Sequence, residues 1–416
     1  MVNLFVLGAR KVGSAVVAQA NFMIKADSMI NLDSIGINDT RGYVYGPLNQ
    51  EEISKLVEHK LNKGSIADLV EEDFPGENNP EALLDKINEG DIVINTLPTK
   101  FCLDDKLYLS TKDVEGSIKS LKENGLVNVA YDIEELKRGA TVLAAHKDYF
   151  VDQKIWTFMQ ELAEKYSGKL IPAGIIMAPC RVFEVINWLQ KNNVKIISAE
   201  GILSSTCNSI LSGMEEKLDY KSALDKTIEE GIAEPDSKAD ETGQDALMKT
   251  KAMGILLGCY KGDNLYGAGE SLDVSKKSTG IVGIDRDTIK KFNNMGYTIR
   301  LICSLDTKDG IANVGPRRLS LYEYFAEVKG PTNALSLAID GRFDFKQLVS
   351  QVYDINADKS KAVVKVPYLD NRKESFYEVK LEIIGDNSKL LITGPGGGNW
   401  KTAAGLLSAA YNSLHN

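Results

Sequence analysis

Glu234, Asp240, Asp245 and Lys249 stand in one short run, Glu234-Pro-Asp-Ser-Lys-Ala-Asp240-Glu-Thr-Gly-Gln-Asp245-Ala-Leu-Met-Lys249. The run passes from a loop into a helical pattern. Residues 245 and 249 are four apart, so they share one helix face. Glu234 and Asp240 lie just upstream, where the chain can fold back toward that face. Carboxylates beside an amine suit a zwitterionic substrate: the carboxylates hold its ammonium, and the lysine exchanges a proton with a hydroxyl or carbonyl. On an exposed helix start the same spacing would be only an i,i+4 ion pair contributing about 0.2–0.5 kcal/mol.

Such a cluster needs a scaffold, and the N-terminal pattern supplies one kind. Residues 2–7 read as a buried strand running into Gly8-Ala-Arg10-Lys-Val12-Gly13, followed by an amphipathic helix over about 14–24. Strand, glycine turn and helix begin a dinucleotide-binding unit. Arg10 stands where the middle glycine of a Gly-x-Gly-x-x-Gly loop would let the backbone approach a pyrophosphate, either as a phosphate partner or as a block. A second strand over 32–37 ends in Asn38-Asp39-Thr40-Arg41. An acid there favours a free ribose 2′-hydroxyl and an arginine a 2′-phosphate, so NAD and NADP both stay open. A third strand, 91–95, closes on Thr96-Leu-Pro98-Thr99, and a fourth, 141–145, runs into His146-Lys147 at the edge where α/β sites form. The alternation predicts a parallel sheet covered on both faces.

Beyond residue 150 the texture changes. Helical patterns over 151–166, 206–231 and 240–258 dominate, with strands at 169–175 and 195–202. From 310 the chain is strand-rich, at 318–328, 333–339, 362–366, 377–384 and 389–393. It closes with Gly394-Pro-Gly396-Gly-Gly398 and a helix of small residues over 402–414. The fold class is α/β: a Rossmann-type nucleotide-binding domain over 1–149, completed by 394–416, and an α+β remainder with a substrate region, 150–309, and a β-rich region, 310–393.

A chain of 416 residues is too long for one simple core. The net charge of −9 argues against nucleic acid, which calls for a basic stripe. No apolar run nears the roughly 20 residues of a membrane span, and the start has no signal-peptide layout. Five cysteines scattered singly fit reduced thiols in the cytoplasm and offer no zinc spacing; a metal site stays undetermined.

These residues resemble homoserine dehydrogenase over nearly the whole chain. Gly8, Val12 and Gly13 match that family's opening loop. Ala144-Ala-His146-Lys147 is similar to its Thr-Ala-Asn-Lys segment, and Gly201-Ile-Leu-Ser-Ser-Thr206 to its Gly-Ile-x-x-Gly-Thr turn. The run from Glu234 to Lys249 reproduces its most specific motif without a gap. The resemblance implies reversible hydride transfer between homoserine and aspartate 4-semialdehyde with NADP or NAD. It implies that Lys249 and Lys147 are the catalytic lysines, and that Glu234, Asp240, Asp245 and Thr206 bind the amino-acid substrate. It places the cofactor on Gly8, Arg10, Val12, Gly13, Asp39, Arg41 and Thr96, with Gly396 and Gly398 near the nicotinamide. A homodimer built through 310–393 is also implied.

The departures leave other readings open. Arg10 interrupts the first loop, His146 replaces an asparagine, Ser205 replaces a glycine, and Pro179 is displaced relative to the family's Gly-Gly-Ile-Pro segment. No glutamate near Gly168 matches the family's monovalent-cation site. Pocket changes of this kind shift specificity, so a dehydrogenase for another amino-acid aldehyde or alcohol is the second reading. A nucleotide-binding homologue without catalysis is the third. A malate-type pairing of His146 with Asp148 is a further, weaker alternative.

Overall fold

The computed structural model describes residues 2–25, 32–99, 107–233, 236–274, 278–295, 297–320, 334–338, 376–383, 389–395 and 398–415. Two compact units divide the chain: Met1–Arg181 with Asn399–Asn416, and Val182–Gly398.

The first unit holds a seven-stranded sheet made of β1 (Val2–Leu7), β2 (Leu32–Asn38), β3 (Tyr43–Gly46), β4 (Gly76–Glu77), β5 (Ile92–Asn95), β6 (Thr141–Ala144) and β7 (Lys169–Ile171), in the order 4-3-2-1-5-6-7. The strands β2, β1, β5, β6 and β7 run parallel. Their near-continuous burial, complete in β5 and β6, is that of a sheet covered on both faces. The expectation of a purely parallel sheet fails at one edge: β3 turns back antiparallel on β2, and β4 pairs antiparallel with β3. Gly42 and the short segment at 39–42 allow a hairpin there, with Asp39 N–H donating to Gly42 O at 3.0 Å. Register aligns Leu7 with Asn38 and with Asn95, and Asn95 with Ala144, so four strands end together. Chain order reverses between β1 and β5, the switch point where open α/β sheets bind ligands.

The first unit extends to Arg181, past the boundary near 149 that the change in texture suggested. The helix Gln153–Lys165 leads to β7, which completes the sheet beside β6. The C-terminal helix, Asn399–His415, packs on the helix Lys11–Lys25. Its Ala403, Leu406, Leu407, Ala409 and Ala410 join the core that Leu4, Val6, Ile92 and Ile94 build. Each leucine buried this fully contributes about 1.5–3 kcal/mol. Lys169 Nζ donates to Ser413 O at 2.6 Å, fastening the helix end to β7.

The second unit has its own seven-stranded sheet, order 12-14-13-8-10-11-9, from β8 (Ile196–Ile202), β9 (Gly262–Leu265), β10 (Tyr297–Asp306), β11 (Ile311–Ser320), β12 (Ala334–Ala338), β13 (Phe376–Ile383) and β14 (Lys389–Pro395). Here β8 pairs antiparallel with both β10 and β13. The pattern over 206–231 forms two helices, Ser205–Glu215 and Tyr220–Glu229. The break falls at Lys217, whose φ is 83°, and at Asp219, whose carboxylate caps the second helix by accepting from Ser222 N–H at 2.8 Å. The pattern over 240–258 likewise becomes Lys238–Glu241 and Gln244–Leu256, parted by Gly243 at φ 81°. The strand pattern at 362–366 and most of that at 318–328 lie outside the described residues.

Candidate functional site

A cleft of about 780 Å³ opens at the switch point of the first sheet, lined by Gly8, Arg10, Asp39, Arg41 and Thr96 among others. Gly8 adopts φ +95°, a left-handed conformation that favours glycine. Its N–H donates to Asn38 Oδ1 at 3.0 Å, and its carbonyl accepts from Thr96 Oγ1 at 2.8 Å. A Cβ on Gly13 would meet Gly8 O at 2.0 Å, so the helix can leave the strand this tightly only from a glycine. Val12 is partly buried against the same core. Arg10 is exposed on the cleft wall. This cradle fits a dinucleotide phosphate bridge over the start of the Lys11–Lys25 helix, where backbone N–H groups favour anions.

The expected ribose reader is already occupied. Asp39 Oδ2 accepts from Lys60 Nζ at 2.5 Å and from Ile66 N–H at 2.8 Å, while Oδ1 accepts from Arg41 N–H at 2.8 Å. Burial opposes ionisation, but Lys60 and these N–H donors hold the Asp39 carboxyl below its ordinary range. Lys60 and Lys63 line the same cleft with Arg41. Neither lysine carried a signal in the sequence. Lys60 lies in the last turn of a polar helix, Gln50–Leu61, and Lys63 just after it, more than twenty residues from the strand end they flank. Asn128 is a further lining residue that no motif marked, and its Nδ2 donates to Pro98 O at 2.7 Å.

Lys147 follows β6 in the first unit, and its N–H donates to Thr99 Oγ1 at 3.0 Å. The malate-type role of His146 with Asp148 has no access to a substrate. His146 is fully buried, so it cannot meet a substrate. Its Nε2 pairs with Asp132 Oδ2 at 2.8 Å, whereas Asp148 Oδ2 is 3.7 Å from Nδ1.

In the second unit the helix Gln244–Leu256, packed on β10 and β11, carries Asp245 and Lys249. Lys249 is 8% exposed. Its Nζ lies 2.7 Å from Asp245 Oδ2 and donates to Leu203 O at 2.8 Å. That carbonyl belongs to the turn joining β8 to the helix Ser205–Glu215, so the 201–206 segment and the acidic segment meet here. Ser204 caps the helix by accepting from Cys207 N–H at 3.2 Å, and Thr206 is buried in its first turn. Asp240 O accepts from Cys207 Sγ at 3.1 Å, bringing its loop to the same helix. Glu215 and Arg300 form a two-pronged buried ion pair, both contacts 3.0 Å, that ties this helix to β10. The arrangement is therefore not a solvated i,i+4 pair. It is a lysine withdrawn from water, held by one carboxylate and one carbonyl.

Residues 182–350 match the family model described as Homoserine dehydrogenase. The likeness to the homoserine dehydrogenase family model rests on that segment. The segment includes Thr206, Asp240, Asp245 and Lys249. A homoserine dehydrogenase from Methanocaldococcus jannaschii is 35% identical over 148 residues, which are 35% of this chain and 40% of that protein. The matched stretch thus spans well under half of that relative. Among solved structures, the homoserine dehydrogenase of Thermoplasma acidophilum is similar over 100% of this chain and 99% of its own, at 14% identity and a TM-score of 0.63. A hyperthermophilic archaeal homoserine dehydrogenase in complex with NADPH is similar over 100% and 98%, at 17% identity and a TM-score of 0.61. At these identities the likeness establishes that the fold is that of homoserine dehydrogenases, a Rossmann-type α/β unit with an α+β partner unit.

Glu234 and Gly396 lie outside the described residues; Gly398, at φ 133°, precedes the C-terminal helix. Among the described residues no group of three His, Cys, Asp or Glu side chains could hold a metal ion, and no helix is long and apolar enough to cross a membrane. The four described cysteines are free thiols.

Proposed function

We propose that the protein is a homoserine dehydrogenase, interconverting homoserine and aspartate 4-semialdehyde with a nicotinamide dinucleotide. The observation that carries this reading is the withdrawn Lys249–Asp245 pair inside the segment that matches the family. As a neutral amine Lys249 takes the proton from the substrate hydroxyl on oxidation, and as an ammonium it returns a proton on reduction, with Asp245 and the Leu203 carbonyl fixing its Nζ. Glu234, Asp240 and Thr206 complete the grip on the amino acid, and Lys147 serves the same reaction from the first unit. Bound at Gly8–Gly13, with Val12 and Thr96 beside it, the nucleotide would supply the hydride acceptor or donor. The test is reduced-nucleotide formation by the purified protein with homoserine beside a panel of amino alcohols. Homoserine should be the best substrate. A good rate on another amino alcohol and none on homoserine would overturn the substrate.

We further propose NADP rather than NAD. Both Asp39 oxygens already accept from protein donors, which weakens Asp39 as the reader of a ribose 2′-hydroxyl. Arg41, Lys60 and Lys63 supply positive charge at the same place. A charge-assisted hydrogen bond contributes about 1.5–3 kcal/mol, so Lys60→Ala should weaken NADPH binding by about 10–100-fold and leave NADH binding nearly unchanged. Calorimetry with both nucleotides checks this, and an unaltered NADPH-to-NADH ratio would rule it out. The homodimer through 310–393 and the cytoplasmic location are proposed with it, on the place of β12 at the sheet edge among the described strands and the free thiols among the described cysteines. A monomer in sedimentation at micromolar concentration would count against the first, and recovery from a secreted fraction against the second.

A further inference from the structure

Behind the floor of the nucleotide cleft, Asp132, Glu135, His146, Asp148 and Tyr149 form a fully buried cluster of titratable groups. Two asparagines connect it to the turn after β5. Asn95 Nδ2 donates to Asp132 Oδ1 at 2.8 Å, and Asn95 Oδ1 accepts from Leu97 N–H at 3.1 Å. Asn128 Nδ2 lies 2.6 Å from Asp148 Oδ2 and 2.7 Å from Pro98 O. Leu97 and Pro98 both line the cleft. Each aspartate is therefore tied to the cleft by one asparagine, and His146 lies between the two aspartates.

We propose that His146 is a positioning residue: as a buried imidazolium between Asp132 and Asp148, it fixes the Thr96–Thr99 turn against which the nicotinamide nucleotide binds. The inference rests on the first unit being a nucleotide domain. Nε2–H donates to Asp132 at 2.8 Å. Nδ1 has one partner for each charge state. Protonated, it faces the Asp148 carboxylate at 3.7 Å; neutral, it accepts from Asp148 N–H at 3.3 Å. Two buried carboxylates need a cation, since a buried charge without a partner is costly. Among the described residues the other titratable groups around it are Lys147 beside it, Tyr149, whose hydroxyl donates to Asp132 Oδ2, and Glu135. Burial, and then the Asp132 charge, raise the Glu135 carboxyl well above its ordinary range. Among the described residues neither Glu135 oxygen has a hydrogen-bond partner. The raised pKa favours the neutral acid at Glu135, so its charge does not compete with Asp132 and Asp148 for His146. For His146, burial lowers the pKa, but Asp132 and then Asp148 outweigh it and raise it above 6.5.

A group whose folded-state pKa is raised stabilises the folded state fully below its unfolded value, here about 6.5, and this stabilisation fades as pH rises through the folded value. Three measurements test the proposal. In the wild-type protein the His146 ring, followed by NMR, should titrate above 6.5; a value at or below it overturns the imidazolium. NADPH affinity, measured by fluorescence from pH 6 to 9, should weaken through that same titration. His146→Asn should bind NADPH on the order of tenfold more weakly at pH 6, the effect of losing a charged hydrogen-bond partner, and the affinity difference from wild type should vanish at high pH. The titration of the 2′-phosphate, near pH 6, is common to both proteins and cancels. If variant and wild type share one pH profile, His146 does not position the turn. If His146→Asn fails to fold, the wild-type NMR titration and NADPH profile decide alone. If wild-type protein binds no nicotinamide nucleotide at any pH, the functional reading fails, and the ring titration still tests the imidazolium.

Discussion

Replacing Lys249 with alanine is expected to lower kcat by about 10²–10⁴-fold, the usual cost of losing general acid–base help. That corresponds to about 3–5 kcal/mol of transition-state stabilisation. The size of the effect follows from geometry. The ammonium is withdrawn from water and fixed at 2.7 Å by Asp245 and at 2.8 Å by the Leu203 carbonyl, so no other described side chain of its helix can take its place. The fold should survive, since Asp245 is 15% exposed and keeps some contact with water after the lysine is gone. Circular dichroism and a thermal melt would verify that point. Glu234→Ala should behave differently. It removes a contact to the substrate ammonium made equally before and during the reaction, so it should chiefly raise KM. A Lys249→Ala enzyme with near-normal kcat on its best substrate would refute the role assigned to this lysine.

How far the chain disclosed this arrangement depends on the range of the signal. The first strand, its glycine turn and the helix behind it are set by neighbouring residues, and the structure places them within a few residues of the pattern. The terminal helix was legible for another reason. A run of Ala403, Ala404, Gly405, Ala409 and Ala410 suits a helix that packs closely, and Ala403, Ala409 and Ala410 lie in the first core, with Ala404 on the exposed side. The Asp245–Lys249 pair was visible as spacing, but its burial was not, because β10 and β11 pack on its helix from nearly 50 or more residues downstream. The antiparallel turn into β3 escaped the alternation rule, since four residues of strand in a polar stretch give no period. Lys60 escaped for the same physical reason as the pairing of His146 with Asp132. Each earns its place through one partner distant in sequence, Asp39 or Asp132, and no local pattern encodes that meeting.

The turn at Gly8–Gly13 carries the second large effect. Gly13→Ala is expected to weaken nicotinamide-nucleotide binding by on the order of 10²-fold or more, the cost of displacing a positioning element by about an ångström. The added Cβ would stand 2.0 Å from Gly8 O and 3.0 Å from Thr96 Oγ1. Neither obstacle is a flexible side-chain end. Gly8 O is backbone, already accepting from Thr96 Oγ1, and Gly8 N–H is fixed on Asn38. The helix start must therefore move away from the strand, and with it the N–H groups offered to the phosphates. Gly90→Ala is the matching control. Its φ of 84° makes an alanine strained there, at roughly 1–2 kcal/mol, yet no atom stands within 4 Å of the new Cβ. That variant should lose stability and keep its nucleotide affinity, whereas Gly13→Ala should lose affinity beyond any loss of stability. Calorimetric titration with NADPH separates the two. A Gly13→Ala protein that binds NADPH as tightly as the wild type would remove the nucleotide from this turn, because no other strand end in the first sheet combines a left-handed glycine with a helix start so close behind it.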